Sequence, residues 1–120
     1  MKPLLRCWLP VFALCGIIFW QSCFATPDVL PSWPLQDKML HAGVYGVLAA
    51  LWVRAFNSLK TWSGRKRLLL LTGVALSTLY GLSDEWHQSF VPARTADVFD
   101  LLADFVGSVI GSWIYLRFCI

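Results

Sequence analysis

The chain has 120 residues, enough for one modest domain. Hydrophobic residues make up 58% of it and charged residues 14%, against roughly 45–50% and about 25% in soluble domains. A soluble protein this small has too little interior to hide that much apolar surface, and seven Trp with eight Phe exclude a disordered chain. The expected solvent for most of the chain is lipid.

Four apolar stretches are long enough to span a bilayer, which takes about 20 residues. They run over about 7–25, 37–56, 68–87 and 98–118, giving an all-α, polytopic membrane protein: one transmembrane domain over 1–120, built as a bundle of four transmembrane helices. Lys2 and Arg6 precede the first stretch, which also fits a signal peptide with a poor cleavage site at Cys23-Phe24-Ala25. Pro27, Pro31 and Pro34 interrupt the chain before the second. Cys7, Cys15, Cys23 and Cys119 have neither CxxC spacing nor neighbouring His, so they read as packing residues and no zinc site is indicated.

The net charge of +3 does not point to nucleic acid, because the bases form no aromatic-interleaved patch. They sort by side instead. Lys2, Arg6, Arg54, Lys60, Arg65, Lys66, Arg67 and Arg117 flank the first helix, the middle loop and the last helix end. All seven acids, Asp28, Asp37, Asp84, Glu85, Asp97, Asp100 and Asp104, fall on the opposite side, with only Lys38 and Arg94 as cations there. The excess of Lys and Arg marks the inner face, so both termini are expected to be cytoplasmic. Trp8, Trp20, Trp33, Trp62, Trp86 and Trp113 lie near helix ends, where interfacial anchors belong.

The acids follow helical spacing. Asp37, His41 and Tyr45 share one face of the second helix; Tyr80, Asp84 and Gln88 share one face of the third, with His87 three beyond Asp84. On the fourth, Asp97, Asp100, Asp104, Gly107 and Gly111 form one stripe. Asp104 lies roughly 6 Å deeper than Asp100 at about 1.5 Å per residue, where a lone carboxylate costs several kcal/mol. Lys38 and Arg94 are therefore expected to neutralise Asp84, Asp100 or Asp104. Gly107-x-x-x-Gly111 allows a second helix to approach closely, and an internal partner helix is expected there. These residues define an outward polar pocket of Asp37, Lys38, His41, Tyr45, Asp84, Glu85, Gln88, Arg94, Asp100 and Asp104.

Asp37-Lys38-x-x-His41-x-x-x-Tyr45, then Asp84-Glu85-x-x-Gln88-x-Phe90-x-Pro92-x-Arg94, then Asp100-x-x-x-Asp104-x-x-Gly107-x-x-x-Gly111, in order on successive apolar segments, resembles the VanZ-like family over about residues 35–112. Members often carry Asn at the position of Asp104, so this chain adds a potential charge. The resemblance implies a small bacterial protein of the cytoplasmic (inner) membrane, multi-pass, in a family whose name-giving member is linked to resistance to the glycopeptide teicoplanin. It supplies no catalytic residue.

Three functions are expected from these residues. In the first, Lys38 and Arg94 hold the phosphate of an anionic lipid headgroup or lipid-linked cell-wall precursor while His41, Asp84, Glu85 and Gln88 orient it. The second is an enzyme on a lipid-linked phosphate or glycan, with His41, Asp84 and Glu85 as catalytic candidates or as oxygen and imidazole metal ligands. The third is a proton- or ion-coupled transporter. Spacing alone assigns neither a cofactor nor a metal site, and leaves the oligomeric state unknown.

Overall fold

The computed structural model describes residues 3–22, 36–90 and 98–120, which form four helices and no strand. They are α1 (Pro3–Ser22), α2 (Gln36–Asn57), α3 (Lys66–Gln88) and α4 (Val98–Phe118). By length and composition α2 and α4 can each cross a membrane; α1 holds a shorter apolar run over Leu5–Gln21.

Local chemistry ends these helices where the sequence changes. After α2, the Ser58 hydroxyl donates to the Ala55 carbonyl at 2.5 Å, and Asn57 Oδ1 accepts from the Gly64 N–H at 3.0 Å. Gly64 itself takes φ +75°, a left-handed conformation that glycine adopts without a Cβ clash. At the end of α3 the Ser89 N–H is shared between the Glu85 and Trp86 carbonyls, and its hydroxyl donates to Trp86 O at 2.6 Å. α3 carries Lys66 and Arg67 at its start and Asp84 and Glu85 near its end, the reverse of what the helix dipole favours. Those charges answer to something other than helix stability.

The two ends of the bundle differ. Val53, Leu69 and Leu116 form an apolar cluster backed by Phe56, Trp62 and Tyr115, near the basic loop. A second cluster joins α1 to α2 through Val11, Ile18, Tyr45 and Leu48. Aromatic rings stitch the same seam: Trp8 meets Phe56 edge-on at 5.1 Å between centroids, and Phe56 meets Trp62 at 4.7 Å. Trp8 and Trp62 are half-buried against this seam, while Trp20, Trp86 and Trp113 are exposed. Trp33 lies outside the described residues.

The main contact is between α2 and α4, which are not consecutive. A Cβ on Gly46 would lie 2.9 Å from the Gly107 carbonyl oxygen, and Cβ atoms on Gly107 and Gly111 would collide with the backbones of Ala42 and Gly46. The Gly107/Gly111 pair therefore faces an internal helix. Backbone cannot swing aside as a side chain can, so bulk here must separate the two helices.

Along α4 burial is inverted relative to a soluble bundle. Asp100, Asp104, Ser108 and Ser112 point inward at steps of four, while Phe99, Leu102, Phe105, Ile110 and Trp113 are exposed. Charged residues are almost never fully buried in soluble proteins unless paired, and large contiguous apolar surfaces are rare. Lipid as the surrounding solvent removes both anomalies.

Replacing Gly111 with Val is expected to lower unfolding stability in detergent by about 1–3 kcal/mol or more. Gly16, whose Cβ would meet nothing within 4 Å, serves as the comparison: Gly16→Val should change it by less than about 1 kcal/mol. Equal losses at both positions, measured by denaturant titration, would rule out the tight α2–α4 contact.

Candidate functional site: an acid and histidine cluster where three helices meet

The start of α2, the end of α3 and the start of α4 converge. At the edge, Lys38 Nζ donates to Asp100 Oδ1 at 2.6 Å, so one expected cation does neutralise one of the expected acids. One turn on, His41 Nδ1 lies 2.9 Å from Asp104 Oδ1, and its other ring nitrogen, Nε2, lies 3.8 Å from Asp100 Oδ2. The imidazole is thus set between two carboxylates of α4. Another turn down α2, the Tyr45 hydroxyl donates to Asp84 Oδ2 of α3 at 3.2 Å. The rings of His41 and Tyr45 are nearly parallel, 6.1 Å apart, as their spacing of four requires.

Beneath this layer runs a ladder of hydroxyls. Ser77 donates to the Tyr45 carbonyl at 3.0 Å, which leaves its oxygen to accept from Ser108 at 2.9 Å. The same Ser108 hydroxyl lies 2.6 Å from the Asp104 carbonyl. Three helices are tied together by these two side chains, both fully buried. In a medium without water such bonds also satisfy groups that would otherwise cost several kcal/mol each.

Among the described residues Asp104 is the most buried acid, with 0% exposure, and Asp100 has 3%. Asp104 Oδ2 is buried and makes no hydrogen bond. It turns toward α3 over Gly81, where a Cβ would stand 2.5 Å from it, so Gly81 makes room for the carboxylate. Glu85, one turn beyond Gly81, is also buried. One donor atom each from His41, Glu85 and Asp104 lies within 4.8 Å of the others, a spacing that can close on a metal ion.

The structure therefore gathers Lys38, His41, Tyr45, Asp84, Glu85, Asp100 and Asp104. It separates roles that spacing merged: Asp84 turns to Tyr45, and Asp104 takes the third place beside His41 and Glu85. Two neighbours point elsewhere. His87 stacks on Phe19 of α1 at 4.8 Å, and the Tyr80 hydroxyl donates to the Cys15 carbonyl at 2.5 Å. Arg94, Asp28 and Asp97 lie outside the described residues, as do the side chains of Asp37 and Gln88 on α2 and α3. The accessible edge of the cluster is Lys38 and His41, whose side chains are 27% and 14% exposed. A groove of about 350 Å³ lined by Ala42, Val47, Ile110 and Ile114 is apolar and lies below it along α2 and α4.

Sequence reasoning missed Ser77, Gly81 and Ser108. A signal was there: Gly73, Ser77, Gly81 and Glu85 repeat at four on α3, as do Asp100, Asp104, Ser108 and Ser112 on α4.

The profile of the VanZ/LLP1 family matches residues 8–119. An uncharacterised protein of Schizosaccharomyces pombe is 32% identical over 74 residues, which cover 62% of this chain. The aligned stretch is 43% of the yeast protein, so the chain spans under half the length of that relative. No solved structure matches.

Tyr45→Phe removes one donor from a buried carboxylate and is expected to cost about 1–3 kcal/mol of stability. In a double-mutant cycle with Asp84→Ala the coupling should be about 0.5–3 kcal/mol. Strict additivity, read from denaturant unfolding, would mean that the bond contributes nothing.

Proposed function

The chain belongs to the VanZ/LLP1 family, and from that membership together with the inverted burial of α4 we propose a four-span integral protein of the cell envelope, both ends inside, that binds an anionic headgroup at its outer face. The observation that carries this reading is the polar stripe of α4, buried from Asp100 to Ser112 beneath an apolar exterior. Intramembrane ionisable groups are costly, face the bundle interior and mark binding or transfer sites. Here they gather at one end, while Arg54, Lys60, Arg65, Lys66 and Arg67 lie toward the other, around the α2–α3 connection. On the positive-inside rule that connection is cytoplasmic and the acid cluster faces outward.

At that face Lys38 is the cation nearest the edge. An ammonium has three N–H donors, so holding Asp100 does not exhaust it, and a phosphate oxygen is a suitable further acceptor. Arg94, in the connection between α3 and α4, adds a planar donor suited to bidentate phosphate contact. The headgroup of an anionic lipid or a lipid-linked cell-wall precursor has this chemistry. The setting is the cytoplasmic membrane of a bacterium, where capture of such a group on the outer leaflet would change what a glycopeptide can reach.

Two measurements test the reading. A single cysteine placed at Lys60 in a cysteine-free chain should react with an impermeant maleimide only after permeabilisation, and one at Phe90 should react in intact cells; the opposite pattern would invert the topology. The protein should retain phosphatidylglycerol over phosphatidylcholine in native mass spectrometry, with at least a tenfold loss of that preference in Lys38→Gln and Arg94→Gln. Equal retention of both lipids, or unchanged variants, would remove the headgroup assignment.

A further inference from the structure

We propose that His41, Glu85 and Asp104 form a three-ligand site for a divalent cation of the zinc class. The donors come from three different helices and lie within 4.8 Å of one another. In a tetrahedral zinc site, with bonds of about 2.0–2.2 Å, donors stand about 3.5 Å apart. Closing from 4.8 Å to that spacing takes rotation of the side chains.

Three further observations point the same way. Asp104 is fully buried, and its Oδ2 has no hydrogen-bond partner; a buried carboxylate oxygen in that condition is a ligand atom looking for a cation. Glu85 and Asp104 bring two carboxylates close together in a low-dielectric place, where like charges repel strongly and a dication between them reverses the sign. The His41 ring lies between carboxylates, and a small shift would bring its Nε2 within hydrogen-bond reach of Asp100. Its Nδ1 is beside Asp104, and its Nε2 faces Asp100 Oδ2 at 3.8 Å, with Asp100 in turn held by Lys38 at 2.6 Å. A ligating histidine almost always gives its second N–H to a carboxylate, which fixes tautomer and ring angle.

The donor set selects the ion. One imidazole with two carboxylates suits zinc, whereas magnesium and calcium are held through oxygen ligands. Binding breaks the hydrogen bond between His41 and Asp104; any proton on Nδ1 leaves to solvent as the nitrogen lone pair and a carboxylate oxygen each bond to the ion. Three protein ligands leave a fourth position open, and the accessible edge at His41 and Lys38 is where a further ligand can enter. On the headgroup reading above, that ligand is a phosphate oxygen, which explains how an acidic cluster could hold an anion; the ion site itself does not depend on that reading.

The test uses the full chain in dodecyl maltoside, stripped with chelator, dialysed and titrated with zinc chloride. One zinc per chain is expected by elemental mass spectrometry after gel filtration, with heat that varies with buffer ionisation as protons are released. His41→Asn, Glu85→Gln and Asp104→Asn should each weaken binding at least tenfold, and His87→Ala, whose ring stacks on Phe19, should leave it unchanged. Circular dichroism identifies any variant that fails to fold, and the remaining isosteric variants then decide. No retained zinc in the wild type, wild-type affinity in all folded cluster variants, or a loss confined to His87→Ala would each overturn the site. Phosphatidylglycerol retention, measured on the same samples, separates the two proposals: zinc without lipid upholds the site and sinks the headgroup reading, and lipid without zinc does the reverse.

Discussion

Backbone touches backbone where α2 crosses α4, at Ala42 and Gly46 against Gly107 and Gly111, and that distance of approach sets the reach of every side chain above it. His41 is a short residue. It spans to Asp104 at 2.9 Å only because nothing larger than hydrogen separates the two helices one turn below. Lys38, one turn above, then has length enough to meet Asp100. A methyl group at either glycine would push the helices apart and open both bonds together. The small residues are thus part of the polar site, although they carry no chemistry.

α3 completes the arrangement by a different device. Its Gly81 leaves space for the Asp104 carboxylate, and its Ser77 ties the Tyr45 backbone of α2 to Ser108 of α4. Removing any one member of such a network leaves buried groups without partners, which costs more than the bond itself contributed. The helices that carry the cluster are consequently held at fixed separations, and side-chain rotation is what remains when a ligand arrives. Pre-set distances of this kind lower the cost of binding, because little ordering remains to be done.

Much of this was legible in the sequence, and the boundary between legible and hidden has a physical origin. Hydropathy located four apolar segments, and steps of three and four put His41 with Tyr45 and Asp100 with Asp104. What spacing within one helix cannot supply is rotation of one helix relative to another. Asp84 and Glu85 are adjacent, and neighbouring residues point about 100° apart on a helix, so the choice between them for Tyr45 or for His41 belongs to packing. The same limit hides the ring contacts of Trp8 and Trp62 with Phe56, which a position near a helix end does not reveal. The serines were overlooked for another reason. Ser77 and Ser108 are compatible with any apolar helix, and only their register with Gly81, Glu85 and Asp104 gives them meaning.

The α2–α4 pair is separated by 62 and 63 residues at its two side-chain hydrogen bonds, and this bears on how the chain is made. In the bilayer proposed for it, α2 leaves the ribosome and enters lipid well before α4 exists. Lys38 and His41 then have no Asp100 or Asp104 to meet. Their partners on α4 come last in the chain, so these ties close only once α4 has been made.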